Sequence, residues 1–505
     1  MKRLLLLLSL LPLITHGAED LHVYPPVPGL AASEHYSVRV RTIGGEWQSA
    51  FTWQTVCKKE PGYFEHLEGW THTYVNFETT GAVEVEIARL KGEPIRSAVV
   101  HPKRKASACT VKNGKALVRL DKPCLVAVDI DGQMDGQDTG KGYKGPPIHT
   151  ISLFANPPLA GKPRPDGPGV RTVKPGEKPP ADGDWSTLYF LPGVHDIGAA
   201  FPLNASRQYY IPGDAMVYGS LCNPEWSNGR NIRVFGHGTL SGARLKHADA
   251  LPKLFASNKS RKPVEIVGAK DSSVEGITVA DSANHSIMLI HPHEPEHPNA
   301  VKWTKIFTWR ANGDGINPFG NTLIEDCFIR TQDDSLYVNG LGIRRVVLWN
   351  DANGSSFVLS SIPQRKLIVE DCDVIYSRAK WHHWSGGRVF NIRGENNEPG
   401  GSGVIFRNIR ITDPRPTLQQ FFLCMTVPEP YGDGKSKAGD LSGILFQNIS
   451  ITAPSVLGEP QLLWGQKDAR IHDLTFENLT LGGKPVNDAA FFKTNEFVEG
   501  LHFRP

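Results

Sequence analysis

Three aspartates stand out for what surrounds them. Asn312-Gly313-Asp314-Gly315-Ile316-Asn317 is followed by Thr331-Gln332-Asp333-Asp334-Ser335-Leu336-Tyr337-Val338, which puts one acid 19 positions (333 − 314) before an adjacent pair, inside strand-like runs. Taken singly, each has an ordinary explanation: Asp-Gly is a common turn, and Asp-Asp at a strand end suits a solvated edge or a Ca²⁺ ligand pair. Brought together, the same three repel one another, and the proton affinity of at least one rises. One carboxyl then holds a proton while another stays ionised, which is what hydrolysis of a glycosidic bond requires: an acid for the leaving oxygen and a base for the attacking water. The spacing of 19 does not itself bring them together; a fold that stacks residues about twenty apart would.

The second half of the chain has that texture. Short apolar runs recur around an Asp, Asn or Gly: Val274-Glu275-Gly276-Ile277-Thr278-Val279, Ile324-Glu325-Asp326-Cys327-Phe328-Ile329, Val369-Glu370-Asp371-Cys372-Asp373-Val374, Phe406-Arg407-Asn408-Ile409-Arg410-Ile411, Phe446-Gln447-Asn448-Ile449-Ser450-Ile451 and Phe476-Glu477-Asn478-Leu479-Thr480-Leu481. Two weaker copies centre on Ile306 and Val347. With inward anchors at 277, 306, 327, 347, 372, 409, 449 and 479, the intervals are 29, 21, 20, 25, 37, 40 and 30. A repeat of twenty-odd residues with variable loops predicts a right-handed parallel β-helix, whose coils stack about 4.8 Å apart. A leucine-rich horseshoe needs helical segments for which these coils leave no room. Cys327 and Cys372 fall on anchors and are expected to be buried apolar residues.

Positions six to eight after each anchor form a polar column. They supply Asn284 and His285, then Asp314, then Asp333 and Asp334, then Asn353-Gly354-Ser355, then Arg378 with Lys380 close behind. The three acids thus become neighbours in space and are the expected catalytic residues. Expected substrate contacts are Arg378, Lys380, Asn353 and His285, with Trp309, Tyr337, Trp349 and Trp381 stacking on sugar faces; Trp384 is a further aromatic nearby. Each tryptophan is equally well explained by core packing. His382 and His383 have no third partner at metal-like spacing, so no metal or other cofactor is assigned.

Gly313-Asp314-Gly315 followed by Gln332-Asp333-Asp334 resembles the three-aspartate signature of the parallel β-helix glycoside hydrolases. The likeness is nearest to family 49, the dextranases and isopullulanases, and more distant to family 28, the polygalacturonases. Tyr189-Phe190-Leu191-Pro192-Gly193-Val194 and Val234-Phe235-Gly236-His237-Gly238-Thr239-Leu240-Ser241-Gly242 are similar to their entry coils. The resemblance implies a β-sandwich before the β-helix, Asp333 as general acid, Asp314 and Asp334 as the acids that activate water, inversion at the anomeric carbon, and an α-glucan such as dextran or pullulan. Polygalacturonases carry Gly-His-Gly after the aspartate pair, whereas this chain has Asn353-Gly354-Ser355-Ser356. Arg378-Ala379-Lys380 is similar to their carboxylate-binding Arg-x-Lys, which keeps an acidic or sulfated galactan or galacturonan as an alternative substrate. A polysaccharide lyase and a non-catalytic carbohydrate-binding β-helix are the readings from other classes.

The rest of the chain fits an exported enzyme. Met1-Lys2-Arg3, the apolar run Leu4–Leu11 and the exit His16-Gly17-Ala18 read as a signal peptide over residues 1–18, for secretion or export to the periplasm, with no membrane association after cleavage. Residues 19–157 alternate in short runs and are expected to form a β-sandwich. Residues 158–184, rich in Pro, Gly and Lys, read as a linker, and 185–505 as the β-helix, making the chain all-β. Cys109 and Cys124 are candidates for a disulfide. A formal charge of +3 on 505 residues, without a basic stripe, argues against nucleic acid; the expected partner is a polysaccharide and the expected state a monomer.

Overall fold

A computed structural model of the chain describes residues 21–133, 145–223, 228–247, 261–351, 353–360, 366–377, 388–395, 403–413, 421–426, 437–452 and 461–505. The fold is a β-sandwich followed by a parallel β-helix. From Val170–Val173 to Leu501–Arg504, 31 strands join into one coiled sheet. The strand Val170–Val173, inside the stretch expected as a linker, already pairs in parallel with Thr187–Phe190.

Like residues stack along the helix because each coil repeats the register of the last. One inward column runs Val234, Val274, Val301, Ile324, Ile343, Val369, Phe406, Phe446, Phe476 and Phe503. Its last four rings stack at centroid separations of 5.3, 5.1 and 5.3 Å. The recurring Asp or Asn has a backbone reason. Asp326 and Asp371 turn one strand into the next, and Asn408, Asn448 and Asn478 bend the strands Gly403–Ile411, Leu445–Ile451 and Leu474–Leu481, all in the left-handed region, with φ of 54°, 56°, 56°, 55° and 51°, which short polar side chains tolerate best after glycine. Their side chains then ladder: Asn478 Nδ2 donates to Asn448 Oδ1 at 3.0 Å, and Asn448 Nδ2 to Asn408 Oδ1 at 2.9 Å.

The register corrects two of the anchors. Lys305 pairs with Phe328 and Phe328 with Val347, so the residues level with Cys327 are Thr304 and Val346. Ile306 is inward but one inward position late, and Val347 faces outward.

The sandwich explains why outward positions can be apolar. One sheet has the order Gln48–Ala50, Tyr36–Thr42, Val83–Arg89, Lys115–Leu120, Ala108–Lys112; the other is Leu21–Val23, Thr71–Thr79, His149–Asn156, Cys124–Ile130, Ala98–His101, with Trp53–Val56 also on Thr71–Thr79. Tyr36, Val38 and Val40 alternate into the core between the sheets with Val75, Phe77 and Leu153, while Arg39 and Arg41 point out to Glu86 and Glu84. The second sheet is buried on both faces. Its other side, including Tyr74, Leu125 and Phe154, packs on outward residues of the β-helix: Phe307, Trp309, Phe328, Val347 and Trp349. Cys109 and Cys124 are both free thiols, so the expected disulfide is absent. They hydrogen-bond separately, to the carbonyls of Ala98 and Lys105. Cys327 and Cys372 are fully buried in the β-helix core.

Candidate active site

The strands Ile287–Ile290, Ile316–Phe319, Leu336–Tyr337, Phe357–Ser360 and Phe390–Arg393 stack in register through Ile287, Ile316, Leu336, Phe357 and Phe390. Two positions before each of these lie His285, Asp314, Asp334, Ser355 and Arg388. Asp314 and Asp334 are therefore adjacent rungs of one ladder, about 4.8 Å apart, and Asp333 enters from the turn just before. One carboxylate oxygen from each of the three lies within 4.8 Å of the others.

The turns that present them are tightly tied. Thr308 Oγ1 donates to Gly313 O at 2.7 Å and accepts the Gln332 N–H at 3.1 Å, linking the two acid-bearing turns. Thr331 Oγ1 donates to Asp333 O at 2.7 Å. The following coil passes so close that a Cβ on Gly354, whose φ is +71°, would sit 2.2 Å from the Asp334 nitrogen. Only glycine serves there.

Each acid has its own partners. Buried Asp314 accepts the Tyr337 hydroxyl at 2.6 Å on Oδ2, with His285 Nδ1 3.5 Å away. Burial and then the Asp334 charge push its carboxyl up to about 8, against the Tyr337 bond. Asp334 accepts the Ser355 N–H at 2.8 Å on Oδ1 and the Tyr337 hydroxyl at 3.2 Å on Oδ2. Burial raises it, opposed by the Arg393 cation and these bonds. Asp333 accepts the Asp334 N–H at 2.9 Å on Oδ1, and on Oδ2 the Asn312 N–H at 3.0 Å and Asn353 Nδ2 at 2.8 Å. Burial, then the Asp314 and Asp334 charges, hold it well above the ordinary carboxyl range, against the Asp334 and Asn312 N–H groups. Tyr337 has one hydroxyl hydrogen for two carboxylates, and its own ionisation is pushed far up, so it remains a donor. Burial, then the Lys262 cation, lower His285 to about 4, leaving it neutral. The cluster thus stores protons on carboxyls at pH values where free aspartate has lost them. The same three oxygens are also close enough to share one cation.

Of the expected site residues, Asp314, Asp333, Asp334, Tyr337, Asn353 and His285 come together. Tyr337 meets the acids through its hydroxyl. Arg378, Lys380 and Trp381, with Trp384, lie outside the described residues. Trp309 and Trp349 are not sugar platforms: each is 1 % exposed, and between them they hold the Arg330 guanidinium, 4.3 and 4.5 Å from the two ring centroids. The sandwich covers that face of the coil. Sequence reasoning missed the Asn312 and Ser355 N–H groups, which carry no side-chain signal. It also missed Asn350, whose Nδ2 donates to Asp333 O at 2.8 Å and Asn353 O at 2.9 Å; a buried Asn closing a strand next to the acid-bearing turn was a usable cue.

No family model matches the chain. A dextranase of Arthrobacter globiformis is 24 % identical over 409 residues, covering 69 % of this chain and 64 % of that protein. An isopullulanase of Aspergillus niger is 24 % identical over 521 residues, covering 93 % and 90 %. The chain is related to the dextranases and isopullulanases. It spans 44 % of a second dextranase, from Arthrobacter sp. strain CB-8, at 25 % identity over 284 residues, so it matches less than two thirds of the length of either bacterial relative. Dex49A from Penicillium minioluteum superposes with a TM-score of 0.72 at 15 % identity, covering 95 % of this chain and 96 % of Dex49A, so the two share a fold over nearly their whole lengths.

Proposed function

We propose that this protein hydrolyses the α-glycosidic bonds of a polysaccharide, with a dextran- or pullulan-like α-glucan as substrate. The observation that carries the reading is the three-carboxyl cluster of Asp314, Asp333 and Asp334, with an oxygen of each within 4.8 Å of the others. Sequence relatives named dextranase and isopullulanase support the substrate class. Asp333 is the general acid: it has a strongly raised proton affinity, and its three N–H donors leave the carboxyl proton free to go to the leaving oxygen. Asp334 carries the negative charge, stabilised by the Ser355 N–H and the Arg393 cation. Asp314 shares the Tyr337 hydroxyl with it and completes the pair that binds and orients water.

The resemblance to family 49 implies inversion. Inverting sites commonly hold acid and base roughly 6.5–9.5 Å apart, a wider separation than these oxygens have, so in this reading water is held beside the acid by Asp314 and Asp334. Proton NMR of the first product anomer checks this directly. The activity test compares wild type with Asp333→Asn on dextran, pullulan, galacturonan and algal galactans. Reducing ends released from an α-glucan by wild type alone are expected. Unchanged turnover in the variant would sink the assignment, and an unsaturated, ultraviolet-absorbing product would make the protein a lyase.

A further inference from the structure

Oδ2 of Asp333 is gripped from two turns, and the N-terminal sandwich anchors both. The first turn runs from Trp309 to Gly313. Trp309 Nε1 donates to Thr55 Oγ1 of the sandwich at 2.9 Å. Tyr63 forms an antiparallel bridge to Arg310, whose guanidinium lies 4.9 Å from the Tyr63 ring centroid. The Ala311 N–H donates to Gly62 O at 2.8 Å, and its carbonyl accepts His247 Nε2 at 2.6 Å. The next residue is Asn312, whose N–H reaches Asp333 Oδ2.

The second turn begins at Asp351. Its carboxylate accepts Arg330 Nε at 2.9 Å, Gln332 Nε2 at 3.2 Å and Trp349 Nε1 at 2.6 Å. Arg330, fully buried, continues to the sandwich, where Nη1 donates to His72 Nδ1 at 2.9 Å. Burial and the Arg330 cation keep His72 neutral, so its Nε2–H is free to donate to Ser152 Oγ, 3.0 Å away. Two residues past Asp351 is Asn353, whose Nδ2 reaches the same oxygen of Asp333.

We propose that the sandwich is a positioning element for Asp333, acting through Thr55 and Gly62 on one turn and His72 on the other. This rests on the hydrolase reading for its consequence, not for its geometry. A 1 Å displacement of a reacting group can cost about a hundredfold in rate, and supporting residues around reactive centres commonly matter tenfold or more. The sandwich has no group in the cluster itself, so any effect on Asp333 passes through the two turns.

The test uses the whole chain and four variants. Thr55→Val removes the acceptor for Trp309, and Thr55→Ser keeps it. Gly62→Ala introduces a Cβ 2.4 Å from the His247 ring, at a φ of +89°. Arg104→Gln breaks a different sandwich–helix contact, the ion pair of Arg104 Nε with Asp373 Oδ1 at 3.0 Å. Thr55→Val and Gly62→Ala are expected to lower kcat on the α-glucan roughly 10- to 100-fold with little change in KM. They should also move the alkaline limb of the kcat profile to higher pH, because the N–H donors that favour ionised Asp333 are loosened. Thr55→Ser restores both, and Arg104→Gln lowers the unfolding temperature without moving the limb. The Asp333 carboxyl titration followed by carbon-13 NMR reads the same shift without substrate. Titration curves for Thr55→Val that coincide with wild type, or an equal shift in Arg104→Gln, would overturn the proposal. Failure of the hydrolase reading shows separately, as turnover that survives Asp333→Asn.

Discussion

Replacing Asp314 by Asn should stabilise the protein at neutral pH and not at acid pH. Asp314 is buried, and its carboxyl is raised from 3.8 to about 8. At pH 7 the folded chain keeps a proton there that the unfolded chain releases. The sign follows from linkage: a group whose folded value is raised contributes its full stability below the unfolded value and loses it as pH climbs through the folded one. Between 3.8 and 7 the loss is 3.2 pH units at about 1.4 kcal/mol each, or roughly 4 kcal/mol. Residual structure and charge coupling in the unfolded chain reduce this to about 2–4 kcal/mol. Asparagine has the same shape and still offers an oxygen to Tyr337, but does not titrate. Equilibrium urea denaturation of wild type and Asp314→Asn near pH 4 and near pH 7 measures the difference. The variant's advantage should be close to zero at the lower pH and grow to the quoted range at the higher, while hydrolysis is lost at both. A stability difference that stays flat across that interval would refute the claim that the cluster holds Asp314 protonated.

Three further outcomes are expected. Tyr337→Phe removes the hydroxyl that Asp314 and Asp334 share, so both hold protons more tightly; the acid limb of the pH–rate profile should move up by about one pH unit, from a charge-assisted bond of roughly 1.5 kcal/mol, as read from kcat/KM against pH. Arg330→Met removes the cation paired with the buried Asp351 carboxylate and should cost about 3–5 kcal/mol in urea denaturation. Asn448→Ala places a Cβ residue without a polar side chain at φ 55° and cuts two rungs of the amide ladder; a loss of about 2–4 kcal/mol is expected by the same assay.

The parts of this molecule that could be read in advance are those where one rule acts alone. An Asp or Asn before an apolar residue marks the left-handed position of several coils, at Asp326, Asp371, Asn408, Asn448 and Asn478, whereas Trp303 and Arg345 hold it, with φ of 52° and 58°, in the two weaker copies. That fixed coil length closely enough to bring Asp314 to Asp333 and Asp334. The misread anchor at Val347 and the two misread tryptophans come from one place, where two layers bury the same strand. At Val346-Val347 both faces are apolar, because the inner residue fills the coil and the outer one meets the sandwich, so periodicity cannot say which is which. Trp309 and Trp349 failed for the same reason: they are outward, but outward here means under the second sheet.

The outward run of Phe307, Trp309, Phe328, Val347 and Trp349 would cost a solitary β-helix a large wet apolar stripe. Read jointly with the strand Thr71–Thr79, which is buried at every position, it requires a covering layer. That cover has a chemical consequence. Arg330 faces the sandwich, between the two tryptophans, and the next residues along its coil are Thr331, Gln332 and Asp333. Arg330 under the cover is thus three residues from the acid, and its bonds to Asp351 and to His72 tie the acid-bearing coil to the docked sheet.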